Sequence, residues 1–166
     1  DLPDGSTVIF DDDSFYMGGV IAERIRSENL PVTIVTPEHV VSDWCYYTSE
    51  QYQVEKRLLE LGIEIKTTHN LLAYDGQKVT IGCIHTGREQ TIEADALIMV
   101  TARQPRDALY QDLRRREEGG TQTSFRSLQR IGDCDAPAII AASVYAGHRY
   151  AREFDSEPVD LSVKFE

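Results

Sequence analysis

Cysteine is scarce in this chain, and the three cysteines it has lie far apart. Cys45, Cys83 and Cys134 form no C-x-x-C pair. The sequence therefore offers neither a structural zinc site nor the thiolates of an iron–sulfur cluster. The four histidines have no metal-ligand spacing either. We expect reduced, structural thiols and no metal bound by this chain.

Basic residues and long apolar runs are also in short supply. Lys and Arg number 17 against 28 Asp and Glu, which gives a net charge of −11. Such a chain repels nucleic-acid phosphates at long range, so we expect no nucleic-acid partner. No run of about eighteen apolar residues could span a membrane, and no secretory signal opens the chain. We expect a cytoplasmic protein, cut from a longer chain because it begins abruptly at a polar segment.

Glycine is missing where a dinucleotide-binding turn needs it. Residues 6–23 read as an apolar strand, a tight turn and an amphipathic helix, which is how a dinucleotide-binding βαβ unit opens. When Ala22 is taken as the small helix residue of that unit, the three glycines of G-x-G-x-x-G fall on Asp13, Phe15 and Gly18. Only the third position is glycine.

Negative charge takes the place of the missing glycines. Asp11, Asp12 and Asp13 put carboxylates where a pyrophosphate would lie, and Phe15 adds bulk where the backbone must be bare. The next strand closes on Thr36 instead of the acidic residue that holds the ribose of NAD. We therefore predict a domain that keeps the nucleotide-binding fold but does not bind the phosphates of a nucleotide. An unusual nucleotide site is the alternative.

The rest of the chain alternates helices and strands before it turns antiparallel. A helix ending at Gly62 and a short strand come first. Two hairpin connections follow, and Asp75-Gly76 is the strongest turn signal. Residues 95–101 then form a buried strand of parallel type. Beyond a short helix and a flexible crossing at residues 119–124, residues 128–133 predict a last strand, followed by a helix that Asp135 caps.

Aromatic residues concentrate in the loop of residues 37–47. Trp44, Tyr46 and Tyr47 lie there, and Trp and Tyr are the residues that anchor interfaces. A docking surface is one interpretation, and a flap packed over the sheet edge is the other.

This order of elements resembles the NAD domain of two-dinucleotide flavoproteins of the glutathione reductase type. Residues 96–105 look like that family's "ATGRxPN" strand and loop, with Ala102 in place of a glycine. The acidic-aromatic turn of residues 12–17, together with the "GDxxAP" and "GHRxAREF" stretches of residues 132–137 and 147–154, resembles the family of trimethylamine, dimethylamine and histamine dehydrogenases.

The resemblance implies a fold and a division into domains. The fold would be α/β, Rossmann-like and three-layered, with a central parallel sheet and an antiparallel β-meander crossover. Residues 1–126 would form a degenerate NAD(P)-binding-like domain. Residues 127–166 would supply the returning strand, helix and tail of a flavin- or ADP-binding-like domain. Within that second part, Gly132 and Asp133 match the motif that faces the dinucleotide. No residue of the chain is assigned a catalytic role.

The resemblance also implies cofactors and partners outside this chain. The parent protein would carry FMN in an N-terminal barrel, a 4Fe-4S cluster, and ADP in the flavin-like domain, while this part would hold no cofactor and be inactive alone. The partners would be the remaining domains of the parent chain and an electron-transferring flavoprotein, and the parent would be a homodimer.

Three other interpretations compete. The domain could bind NAD(P)H, as in 2,4-dienoyl-CoA reductase-like enzymes. It could be an interaction module whose acidic face docks the flavoprotein partner. This interpretation is compatible with membership of the amine dehydrogenase family. A response-regulator receiver also places paired acids after its first strand. That fold needs an Asp after its third strand, where Ile65-Lys66-Thr67 has none, and it has no place for a meander.

Overall fold

The chain folds into two compact units. The computed structural model describes residues 3–120, 125 and 127–155, and the units divide after Ala102. The boundary predicted between residues 126 and 127 is a different kind of division, because it separates the NAD(P)-binding-like part from the flavin-binding-like part. It stays a prediction. The tail of residues 156–166 and most of the predicted crossing at residues 119–124 lie outside the described residues.

A four-stranded parallel sheet forms the centre of the first unit. Its strands are β1 (Thr7–Asp11), β2 (Val32–Val35), β3 (Glu64–Lys66) and β7 (Ala96–Val100), in the order β3-β2-β1-β7. Every residue of β1 and β2 is buried. This is the pattern of parallel strands that are covered on both faces, and it explains why most of their residues are apolar.

Two helices cover one face of this sheet. They are α1 (Met17–Arg26) and α2 (Gln51–Glu60), and a 3-10 helix (Asp43–Thr48) precedes α2. Ile9, Ile25 and Leu58 are completely buried in the core between the helices and the sheet. The α2 helix stops before Gly62, whose φ of +72° suits the left-handed residue that ends a helix.

A three-stranded antiparallel meander covers the other face. Its strands are β4 (His69–Tyr74), β5 (Lys78–Cys83) and β6 (Glu89–Glu93), paired in sequence order. Val8 and Phe10 point from β1 to this side and pack with Val79 and Ile81. At the first hairpin, the Asp75 carboxylate accepts the backbone N–H groups of residues 77 and 78 at 2.8 and 2.7 Å. The predicted α/β fold, with its parallel sheet and antiparallel meander, is confirmed.

The second unit consists of helices. Its elements are α3 (Ala108–Glu118), a 3-10 helix (Gly132–Cys134) and α4 (Ile140–Glu153). Arg130 lies 2.6 Å from the Asp107 carboxylate, 3.3 Å from that of Asp135, and over the ring of Tyr110. This ion-pair cluster joins the start of α3 to the segment before α4.

The strand predicted at residues 128–133 is absent. Ile131 has extended backbone angles (φ −142°, ψ 157°), but Gly132 begins the 3-10 helix. The reason is that a strand needs a neighbour to pair with, and the described residues of this unit contain no other strand. The helix also begins at Ile140 rather than beside Asp135, so the predicted cap was wrong.

The α4 helix buries none of its residues within the described chain. Ile140 is 84% exposed, although its spacing with Val144 is that of a core-facing stripe. None of the described helices is long and apolar enough to cross a membrane.

Adjacent leucines on α2 test the position of the helix-side core. Leu58 is completely buried and Leu59 is 58% exposed. We expect Leu58→Ala to lower the free energy of unfolding by about 2–5 kcal/mol, because it leaves a cavity under the helix. Leu59→Ala is the matched control and should cost less than about 1 kcal/mol. Urea unfolding followed by circular dichroism measures both, and equal losses would contradict this packing.

Candidate functional site

The turn between β1 and α1 is the place where this fold would hold a pyrophosphate. β1 ends at Asp11 and α1 begins at Met17. Ser14, in the middle of the turn, has a φ of +57° and is buried. Its carbonyl accepts the backbone N–H of Trp44 at 3.1 Å. This bond ties the turn to the loop that follows β2.

Asp11 is the acid that enters the turn. Its side chain is 1% exposed, and its Oδ1 accepts the backbone N–H of Ser14 at 3.0 Å. Its Oδ2 is buried and has no hydrogen-bond partner among the described residues. Asp12, by contrast, is exposed. The carboxylate of Asp11 therefore lies inside the turn, whereas Asp12 lies at the surface.

Gly18 provides the space that the Asp11 carboxyl fills. A Cβ built on Gly18 would lie 2.2 Å from Asp11 Oδ2, 2.7 Å from Cγ and 3.0 Å from Cβ. No real side chain approaches so closely, so a larger residue at position 18 would have to displace the carboxyl group. The third glycine of the motif is thus retained because the helix and the strand pack closely at this point.

Burial raises the pKa of the Asp11 carboxyl to about 6. The Ser14 N–H opposes this change because it stabilises the carboxylate, and the negative charges of Asp13 and Asp12 add to it. Near neutral pH the turn therefore carries a partly desolvated negative charge, which would repel a diphosphate placed over the same helix end.

Aromatic rings close the entrance to the turn. The ring of Phe15 stacks on the indole of Trp44 with centroids 5.5 Å apart and planes inclined by 10°. Tyr47 continues the cluster, with its ring centroid 5.2 Å from that of Trp44. The loop after β2 thus packs against the β1–α1 turn, at the carboxyl ends of two strands where a dinucleotide would pass.

The end of β2 offers no acidic partner for a ribose. Thr36 is buried, and its hydroxyl accepts the backbone N–H of Glu38 at 3.3 Å. Its own N–H donates to the carbonyl of Lys66 at 3.0 Å. Thr36 therefore stabilises the loop itself and presents no carboxylate at that position.

Gly132 and Asp133, the predicted dinucleotide-facing residues, lie in the second unit. Gly132 has a φ of +60°, which favours glycine. One Asp133 carboxylate oxygen accepts the hydroxyl of Ser143 at 3.0 Å and the backbone N–H of Ala138 at 3.4 Å. Asp133 thus holds the segment before α4 against the helix. Its contact with a dinucleotide stays a prediction.

Among the described residues, no group of three or more His, Cys, Asp or Glu side chains could hold a metal ion. From the sequence we expect all three aspartates in the turn, although β-strand alternation distinguishes Asp11 from its neighbours. Alternate residues of a strand face the same side of the sheet. Asp11 is two residues after Ile9, whose side chain faces α1 and α2, whereas Val8 and Phe10 face the meander.

Adjacent glycines test the close contact between helix and strand. Gly18→Ala should lower the free energy of unfolding by about 1–3 kcal/mol, because the new methyl group displaces the Asp11 carboxyl. Gly19→Ala is the control: its Cβ would lie 3.6 Å from Val54, an ordinary contact. This change should be neutral, or should stabilise the helix by up to about 1 kcal/mol. Chemical denaturation measures both, and equal effects would contradict the contact.

The pH dependence of stability tests the burial of Asp11. Its folded pKa of about 6 exceeds its ordinary value of 3.8, so folding favours the neutral acid. This stability is fully present below about pH 4 and is lost as the pH rises through 6. Asp11→Asn does not titrate, so its advantage over the parent should grow by about 2 kcal/mol between pH 4 and pH 7. Unfolding at several pH values measures this, and a difference constant with pH would contradict it.

Comparisons with known proteins find relatives over most of the chain. No family model matches. The chain is 26% identical over 170 aligned residues to dimethylamine dehydrogenase from Hyphomicrobium sp. (strain x), covering 91% of this chain and 23% of that protein. It spans about a quarter of the length of the relatives it matches.

Two solved structures agree with this relationship. Histamine dehydrogenase from Rhizobium sp. 4-9 is 38% identical with a TM-score of 0.86, covering 100% of this chain and 26% of the other. The 6-hydroxypseudooxynicotine amine oxidase of Pseudomonas geniculata N1 is 32% identical with a TM-score of 0.79, covering 92% of this chain and 22% of the other.

A more distant structure shows the fold alone. The reduced CoADR-RHD of Bacillus anthracis has a TM-score of 0.53 at 18% identity and covers 76% of this chain and 20% of the other. The nearer relatives agree with the resemblance that the "GDxxAP" stretch and the acidic-aromatic turn carry. Over most of its length, this chain is homologous to a region of the dimethylamine and histamine dehydrogenases, oxidoreductases about four times as long.

Proposed function

We propose that this chain is the C-terminal, reductase-like part of an amine dehydrogenase-type flavoprotein, and that it serves as a structural domain without nucleotide turnover of its own. The parent enzyme would oxidise an amine by N-demethylation or deamination. The homology over most of the chain supports the class of enzyme. The isolated chain would be inactive, because the reaction would take place elsewhere in the parent.

The buried Asp11 carboxyl is the observation that carries this proposal. It lies against Gly18 at the start of α1, within the space that a diphosphate would need. A dinucleotide would have to displace this carboxyl and also separate the Phe15–Trp44 stack. The residues of the turn therefore do not fit NAD(P)H or ADP.

The cofactors of the parent belong to its other regions in this proposal. The resemblance implies FMN and a 4Fe-4S cluster, and the described part of this chain has no group of side chains suited to a metal. Gly132 and Asp133 would face an ADP in the completed flavin-like domain. Electrons would pass to an electron-transferring flavoprotein, and the parent would be a cytoplasmic homodimer.

An NAD(P)H-binding domain of the 2,4-dienoyl-CoA reductase type is the second candidate. One observation favours it: Gly18 retains the close approach of α1 to β1 that active nucleotide-binding turns also use. The other two glycine positions of the motif carry Asp13 and Phe15, and for that reason we rank this candidate lower.

Titration with nucleotides separates the two candidates. Isothermal calorimetry of the 166-residue chain with NADH, NADPH and ADP should give no saturable heat at neutral pH, because the carboxylate and the aromatic stack occupy the site. Quenching of NADH fluorescence gives a second readout. Circular dichroism of the same samples shows that the chain is folded. Saturable NADH or NADPH binding in the micromolar range would favour the second candidate.

A further inference from the structure

The loop after β2 exposes large aromatic side chains on a fixed backbone. Trp44 is 47% exposed and Tyr47 is 81% exposed. Both lie on the 3-10 helix between Asp43 and Thr48. Large aromatic side chains that remain in water are a recurring feature of protein-binding surfaces.

The backbone that carries these rings is anchored from below. Cys45, between Trp44 and Tyr47, is 1% exposed. The buried Gln51 side chain donates to the carbonyl of Val41 at 3.1 Å, and the N–H of Trp44 donates to Ser14. Binding of a partner to these rings would therefore lose little conformational entropy, because the loop is already ordered.

The two segments that carry the rings are rich in acidic residues. The two segments that form this surface, residues 11–23 and 36–55, contain neither Lys nor Arg. Asp12 and Asp43 flank the aromatic residues in sequence. Glu50 accepts the hydroxyl of Tyr16 beside them. A positively charged partner would be attracted to this surface at long range.

The geometry of the rings favours a protein partner over a small cation. Phe15 and Trp44 are in direct stacking contact, with planes only 10° from parallel. No gap remains between them in which a small ammonium ion could be enclosed, as an aromatic cage would require. A larger group, such as the side chain of an arginine or leucine of a protein partner, could instead pack against the outside of the stacked rings.

We propose that this surface, the acidic-aromatic face, docks a separate protein that presents arginine and lysine side chains around an apolar centre. The face consists of Asp12, Phe15, Asp43, Trp44, Tyr47 and Glu50. A symmetric pair of two copies of the chain does not suit it, because two identical acidic faces repel each other. A separate protein arrives by diffusion, which is the situation in which electrostatic steering raises the association rate. The proposal goes beyond the proposed function and does not depend on it.

The only tryptophan of the chain lies in the acidic-aromatic face and reports on its occupancy. The probe is a peptide of four Arg-Ala-Leu repeats, which contains no aromatic residue. Adding it to the 166-residue chain should change the emission of Trp44 saturably, and the affinity should fall as salt rises from about 50 to 300 mM. A peptide with Gln in place of Arg should give no saturable change.

Charge-matched variants distinguish a defined site from general attraction. Asp12→Lys/Asp43→Lys should weaken the binding of the arginine peptide about tenfold or more. Glu89→Lys/Glu93→Lys changes the net charge equally at exposed positions on β6 of the same unit, and it should weaken binding about twofold at most. Tyr47→Ser leaves the charge unchanged and should weaken binding about tenfold through the loss of an aromatic anchor.

Four results would overturn the proposal. One is the absence of a saturable emission change with the arginine peptide. Another is equal weakening by the two charge variants, which would mean diffuse attraction. An emission change that depends on protein concentration alone would identify a second copy as the occupant. A saturable change with tetramethylammonium chloride would identify a small cation. Circular dichroism of every variant verifies that the fold is intact.

Discussion

The contact between the Asp11 carboxyl and the backbone of Gly18 determines how the first unit is assembled. It lies where β1 ends and α1 begins, so it sets the distance between the central strand and the helix packed on it. The contact has a cost, because burial raises the pKa of this acid to about 6. The Ser14 N–H recovers part of that cost by donating to the carboxylate. A buried acid retained at such a position replaces the anion that the helix end would otherwise attract.

The three glycine positions of the ancestral motif have separate physical roles, and this chain keeps only one of them. Gly18 serves the packing of helix on strand, which any protein with this fold requires. The positions of Asp13 and Phe15 serve the approach of a phosphate. Side chains of the described residues alone form the hydrophobic clusters on the two faces of the sheet. The core of the first unit therefore does not depend on a bound nucleotide.

The parts of the fold that could be predicted from sequence are those in which the residues needed lie close together in the chain. The Asp75-Gly76 hairpin contains its own donors and acceptor, and the apolar spacing on α2 places Leu58 in the core. The prediction of a strand through Ile131 was wrong because strand formation depends on a neighbouring strand, and the local sequence does not show whether one is present. Ile140 shows the same limit: its spacing indicates a buried face, but the described residues do not cover it.

Within the site, the sequence indicated that two of the three glycines of a dinucleotide-binding turn are missing. It did not indicate which contacts the turn makes instead. The stack of Phe15 on Trp44 joins residues that are 29 positions apart, and no periodicity predicts such a contact. The stack shows that the aromatic loop covers the β1–α1 turn, whereas its use as a docking surface stays a prediction. Trp44 uses one ring face to cover the turn and remains 47% exposed, while Tyr47 remains 81% exposed. The same backbone that packs against the β1–α1 turn thus presents exposed aromatic side chains to solvent.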